Sequence, residues 1–508
     1  MEGMQRALIV SIISRGWASA LALFAVPLYL RFLGIEAFGV VGLFTSFSTL
    51  VGFLDLGLGA TLTRQLAGIS AKKITLSDGR DLLRTFEVAY AAIALFIGLL
   101  VILCSASVAH YWVKAQALEQ SEIGNALALA GVAIACQWPT ILYSSGLAGI
   151  HKQAQLGIST MVFATIRVSL TLTIVWLVPN LTSFFLAQIA SLLLQTLGTR
   201  LLLWRALELA KHRAQFHMAI IRSSVRFAGG MTGIAITSIV LTQTDKVILS
   251  KVLNLSDFGI YVIECTLANG LYMLISPMFS VMYPRFSSLF HSDEDTKLID
   301  WYHISSQTMA ALVIPVTLLI AVFSKEVLYV WSGDPVLSQQ GSLVLALLVI
   351  GNGCNGIMNI PYALQLSSGW TKFAIWVNIG TIILLAPFIW WSAVNFGPIG
   401  GAAVWAVLNI FHIVLTPQIM HRRLLSTEKT AWYWNGVVLP ALTCSATLLV
   451  LRQIPLTEIP RLLVGLILLI YWVFAVTATL LFLPRLRGII IHSLQLKFSQ
   501  MSTRNNHG

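Results

Sequence analysis

Charge is scarce in this chain. Only 10% of its 508 residues are Asp, Glu, Lys or Arg, against about 25% in ordinary soluble domains, so no large water-soluble domain fits. Acid is scarcer than base, with 20 Asp and Glu facing 32 Lys and Arg. Carboxylates predicted to lie outside, such as Glu36, Glu119, Glu122 and Asp334, are scattered, with no pair spaced for acid–base work. Cysteine is sparse too. Cys104, Cys136, Cys265, Cys354 and Cys444 sit singly in apolar stretches, form no C-x-x-C and offer no metal spacing, so packing is their expected role. There is no G-x-x-x-x-G-K-[ST] loop, which excludes nucleotide hydrolysis by the chain itself. No catalytic constellation, metal set or cofactor motif is visible, so the expectation is a protein that is not an enzyme. The N-terminal apolar run is too long for a leader's core and is expected to stay as a span.

What the chain has is apolar length, with 57% of its residues hydrophobic. A bilayer is crossed by about 20 apolar residues. That ruler places spans near 8–30, 38–63, 85–108, 123–146, 155–178, 181–204, 226–250, 257–282, 303–324, 341–364, 371–394, 398–420, 431–451 and 462–484. The fold class expected is therefore an all-α polytopic membrane protein of about fourteen transmembrane helices. With the N-terminus cytoplasmic, inside segments carry roughly four times as many Lys and Arg as outside ones. This predicts an N-in, C-in topology. It also explains the net charge of +12 without nucleic acid. Outside loops stay under about twenty residues by the same ruler. Trp112, Trp138, Trp331, Trp390 and Trp391 are expected at the membrane interfaces. Pro27, Pro139, Pro277 and Pro361 fall within spans and should kink them.

The chain repeats itself. LGIEAFGVV at 33–41 is echoed by LNLSDFGIY at 253–261, aligning Leu33 with Leu253, Phe38 with Phe258 and Gly39 with Gly259. Six spans separate the two copies, and an even number keeps both in the same orientation. Two six-helix lobes in parallel repeat are therefore expected, at 1–215 and 216–424. A helical hairpin follows at 425–484 and a basic cytoplasmic tail at 485–508. The basic stretch Arg200–Arg226 links the lobes.

Six ionisable residues inside spans are the candidate site. Charge in a membrane interior costs about 2.5–3.5 kcal/mol on insertion scales, so it marks function by default. Arg15, Arg167 and Lys246 lie at rising heights and could form a cationic ladder along a cavity, suited to an anion such as a phosphate. The structural alternative is an ion pair within each lobe. Asp55, Asp245 and Glu264 could bind a coupling proton or sodium ion, or hold Arg15 and Lys246 in place. Asp55 and Arg15 fall in the same half of the membrane, which makes them plausible partners. Adjacent residues point about 100° apart on a helix, so Asp245 and Lys246 should address different partners.

Several stretches resemble one family. They are LGIEAFGVVGLFTSFSTLVGFLDLGLGATLTRQLA at 33–67, QTDKVILSKVLNLSDFGIY at 243–261, PMFSVMYPRFSSL at 277–289, GNGCNGIMNIPYALQLSSGW at 351–370 and FGPIGGAAVWAVLN at 396–409. They are similar to the O-antigen (Wzx-type) polysaccharide flippases of the multidrug/oligosaccharidyl-lipid/polysaccharide exporter superfamily. The resemblance runs from about residue 8 to 435. It implies a two-lobed, alternating-access transporter in a bacterial inner membrane. Its substrate would be an undecaprenyl-diphosphate-linked oligosaccharide, moved from the cytoplasmic to the periplasmic leaflet. Membrane lipids, a polysaccharide polymerase and chain-length proteins would be its partners. Competing readings are a multidrug or cation antiporter of the same superfamily, a membrane glycosyltransferase or polymerase, and a non-transporting scaffold. An antiporter for cations would want an acidic cavity, an enzyme a large outside loop, and a scaffold no charges within spans.

Overall fold

A computed structural model describes residues 2–55, 57–70, 74–207, 214–222, 232–292, 294–456 and 459–488. Parts of the predicted basic linker and nearly all of the predicted tail lie outside these residues. Every regular element among the described residues is helical. The first are α1 Glu2–Leu33, α2 Ile35–Val51, α3 Leu58–Ser70, α4 Leu76–Tyr111, α5 Gln120–Gln137, α6 Pro139–Gly149, α7 Gln153–Leu177 and α8 Leu181–Ala206. Then come α9 Thr232–Val252, α10 Leu255–Asn269, α11 Tyr272–His291, α12 Asp295–Val322, α13 Ser324–Ser332, α14 Pro335–Ser367, α15 Thr371–Arg423, α16 Lys429–Leu451 and α17 Arg461–Leu481.

Among the described residues, ten helices are long and apolar enough to cross a membrane, or eleven if α10 and α11, bent by 45°, count as one span. The expected fourteen depends on how breaks are read. At 1.5 Å per residue, the 53 residues of α15 would run about 80 Å, far beyond a hydrocarbon core of about 30 Å. Gly397 breaks α15 with φ 59° and ψ −142°, a conformation only glycine adopts easily. Helices α2 and α3 are each too short to span alone and are joined through a 3-10 turn at Gly52–Asp55.

Helix faces follow the solvent they meet. On α4, Leu82, Phe86, Tyr90, Ala94 and Ile97 recur at helical spacing and are buried. Leu95, Phe96, Leu99 and Leu103 on the same helix are exposed, which is where lipid chains would stand in for water. Helix starts are polar. Thr75 and Asp78 form a reciprocal capping box for α4, and the Asp334 side chain accepts from the N–H groups of Val336 and Leu337 ahead of α14.

The described chain forms two compact units. One holds Met1–Ile263 and Ala374–Pro398, the other Glu264–Phe373 and Ile399–Gly508. Within the first unit the repeated sequence packs on itself. A Cβ on Gly39 would lie 2.5 Å from the Leu255 carbonyl oxygen, and one on Gly259 would meet the Ile35 carbonyl oxygen closer still. Ile35 and Leu255 are themselves equivalent in the repeat, so each copy's glycine sits on the other copy's first helical turn. Reciprocity of this kind is what a local two-fold relation produces. The loop between α4 and α5 caps the same place. Its Gln116, Ala117 and Leu118 N–H groups donate to the Glu36 carboxylate at 2.5, 2.8 and 3.1 Å, and the Lys114 Nζ donates to the Val252 carbonyl at 2.8 Å.

In the second unit, polar contacts hold the C-terminal hairpin against α12. Arg485 pairs with Asp300 at 2.6 Å, and the Gln307 Oε1 accepts from the backbone N–H groups of Arg485 and Leu486. His303 meets Glu428 at 2.7 Å and holds that carboxyl below the usual carboxylate range.

Candidate functional site

The polar cavity of the first unit grows from one proline. Pro139 has no N–H to continue the α5 ladder, so the span divides at Trp138 into α5 and α6. The Cys136 carbonyl beside the break accepts from the Thr196 hydroxyl of α8 at 2.6 Å instead. A cavity of about 350 Å³ opens at this point. Ser48 of α2, Gln137, Trp138 and Thr140 at the break, Arg167 of α7 and Gln195 of α8 line it, and Ser144 and Ser145 of α6 add hydroxyls. No carboxylate lies among the described lining residues.

Two lining groups are buried without a described partner, the Ser48 Oγ and the Trp138 Nε1. Trp138 is only 3% exposed, so the expectation that it sits in an interface belt is corrected. The indole is drawn inward because it packs against Tyr90, their ring centroids 5.9 Å apart. A buried N–H with no acceptor costs about 1–3 kcal/mol, and this one is closed off behind the cavity wall.

The ladder residues fall in different settings. Arg167 reaches the cavity and makes no described hydrogen bond or ion pair. Arg15 is exposed on α1, which packs along α7. Trp17 of α1 donates to Thr165 of α7 at 3.0 Å. That bond puts Arg15 and Arg167 about 6 Å apart along the helix pair at 1.5 Å per residue. Lys246 is engaged. Its Nζ lies 3.4 Å from Asp245 and donates to the Thr242 carbonyl at 3.1 Å. The expectation that these neighbours address different partners is therefore corrected, because the lysine's four-carbon stem folds back where a stiff side chain would not. Asp245 also accepts from the Tyr261 hydroxyl at 2.7 Å.

Asp55 does not meet Arg15. Its carboxylate accepts from the Tyr90 hydroxyl and, at 3.2 Å, from the Gly59 N–H, closing the turn into α3. Glu264 belongs to the second unit. It is fully buried, neither carboxyl oxygen has a described partner, and Gly341 leaves room for it.

Glu87 escaped the sequence reading. It lies inside a predicted span and is 7% exposed. Tyr143, Arg200 and Trp204 all donate to its Oε1, and Arg84 to its Oε2. The available signal was a carboxylate inside the span 85–108.

A bundle of apolar helices of spanning length around a polar cavity is the build of a multi-pass membrane protein. The chain belongs to the polysaccharide biosynthesis protein family, whose model matches residues 29–337. It is 21% identical over 403 residues, 78% of this chain and 92% of the other, to a Shigella flexneri protein described as "Putative O-antigen transporter". Its fold is that of the lipid II flippase MurJ in an inward closed conformation, with a TM-score of 0.70, 13% identity and coverage of 92% of this chain and 98% of that one. An inward-facing multidrug resistance MATE transporter of the MOP superfamily shares it at a TM-score of 0.65 and 14% identity, covering 81% and 96%.

Proposed function

We propose that this transporter is a flippase for an undecaprenyl-diphosphate-linked oligosaccharide. It carries an O-antigen or related repeat unit from the cytoplasmic to the periplasmic leaflet of a bacterial inner membrane. Alternating access between lobes at 1–215 and 216–424, both termini cytoplasmic, is the route. The hairpin 425–484 and tail 485–508 are appended, and a polymerase and chain-length proteins act on the delivered unit. The observation that carries this reading is the cavity beside Arg167, which offers a cation and polar side chains but, among the described residues, no carboxylate. The same observation counts against an antiporter for cationic drugs, which would need acid there. Arg15 supplies further positive charge along the path of the diphosphate, and Lys246 joins it only when its pair with Asp245 opens.

The membrane potential is worth about 2.3 kcal/mol per charge per 100 mV. With a negative interior, outward passage of a diphosphate is downhill by that amount for each net charge moved. A coupled proton or sodium ion then resets the empty carrier, with Asp55 and Glu264 as its candidate sites.

Deleting the gene in its host should leave lipid-linked repeat units in the cytoplasmic leaflet. Normal periplasmic delivery, in a host with no second transporter, rejects the proposal. Arg15→Ala and Arg167→Ala should each lower transport at unchanged protein level, by roughly tenfold or more for loss of a charged hydrogen bond. Full activity in both removes the ladder. For coupling, Asp55→Asn and Glu264→Gln should alter the pH or sodium dependence of transport in vesicles. Curves that superimpose on the parent's for both variants end that role.

A further inference from the structure

We propose that the cavity at the Trp138–Pro139 break is a specificity pocket for a carboxylated sugar ring of the transported head group. The proposal rests on the flippase reading and deepens it. About 350 Å³ is at the small end of the ~300–1,000 Å³ typical of small-molecule sites. It therefore holds a ring or two, not a whole oligosaccharide. The site is built for accepting groups. Arg167 brings a guanidinium that no described residue neutralises, and its planar fork matches the paired oxygens of a carboxylate. Trp138 forms part of the pocket wall, with its Nε1–H buried behind the surface. Gln137 and Gln195 offer amides that can both give and take hydrogen bonds, as ring hydroxyls require. With no carboxylate among the described lining residues, a free amine would find no counter-charge beside Arg167, so an anionic ring is preferred to a cationic one.

Pro139 interrupts the backbone ladder at the pocket, and Thr196 ties off the Cys136 carbonyl beside it. Binding should therefore need little rearrangement, and it selects among substrates by the presence of an acid group on one sugar.

The test uses the full chain purified in detergent, with saturation-transfer NMR on glucuronate, glucose and inorganic pyrophosphate. Glucuronate should show transfer, with an affinity about tenfold or more above that for glucose. Arg167→Gln should weaken it by about tenfold or more, and Gln195→Leu, which removes a lining amide, by about threefold to tenfold. Both variants should elute as the parent does on size exclusion. Equal binding of glucose and glucuronate overturns the proposal. So does binding that neither variant changes, or no glucuronate binding at all. Displacement of glucuronate by an equal concentration of pyrophosphate also overturns it, assigning the pocket to the carrier's diphosphate. Because this readout needs no transport, its failure beside a positive gene-deletion result retires the pocket and leaves the flippase reading standing.

Discussion

Gly39→Val should cost about 3 kcal/mol or more of fold stability, at the upper end of overpacking penalties. The reason is what the new methyl groups would meet. A Cβ on Gly39 comes within 2.5 Å of a backbone carbonyl, that of Leu255, and 2.8 Å of the Leu255 Cδ1. A side chain can rotate away from such a clash, but a carbonyl inside a helix cannot without giving up its hydrogen bond. Gly259→Val should behave alike, since its clash is with the Ile35 carbonyl. Gly42 differs in kind. Its neighbour is the Val262 side chain, 2.5 Å from the added Cβ, so Gly42→Ala should be milder. Gly380→Ala is the control, because nothing lies within 4 Å of its added Cβ and alanine favours a helix by up to about 1 kcal/mol. Thermal midpoints and monodisperse yield in detergent would separate these variants. If Gly39→Val melts with Gly380→Ala, the reciprocal contact between the repeats does not form.

The same glycines show how far a sequence of this kind can be read. Their recurrence with Phe38 and Phe258 exposed the duplication, because a shared contact preserves the small residue that permits it. Spans were legible for a similarly simple reason, since lipid demands about 20 apolar residues and loops keep the basic ones. Where one span ends was harder to see. Phe396–Pro398 reads as a short turn, yet the chain passes through it with a single non-helical residue, Gly397. The cavity was the least legible feature. Residues from α2, α5, α6, α7 and α8 converge there, and no spacing along the chain announces a surface drawn from five helices. Arg167 could be singled out because charge in a span is rare. Trp138 could not, because tryptophan near a proline and a span end looks the same whether it faces lipid headgroups or a buried hollow. Pairing was misjudged wherever side-chain length mattered. Lys246 reaches Asp245 by bending its stem, which a helical wheel built on Cβ directions does not represent.

Glu87→Ala should destabilise the first unit by about 2–3 kcal/mol. Breaking a fully buried ion pair costs about 3–5 kcal/mol. The lower figure applies here because Arg84 and Arg200 are 49% and 39% exposed, and water compensates part of their loss. The remainder comes from the other donors. Arg200 Nε at 2.8 Å, Trp204 Nε1 at 2.7 Å and Tyr143 hydroxyl at 3.0 Å share one oxygen of Glu87. Alanine would leave the Tyr143 and Trp204 groups to find partners in a region largely closed to water. Glu87→Gln keeps an acceptor at the shared oxygen but turns an amide N–H₂ toward Arg84, so it should lose about half as much. A double-mutant cycle with Arg200→Met separates the hub from simple packing. Coupling above about 0.5 kcal/mol is expected for residues in one network, and additivity within that margin would mean that Glu87 and Arg200 act independently. Transport per folded molecule should stay at the parent level in Glu87→Gln, because Glu87 joins α4, α6 and α8 without lining the cavity. That separates it from Arg167. Loss at Glu87 should be read in thermal midpoint and yield, whereas loss at Arg167 should be read in transport at constant yield.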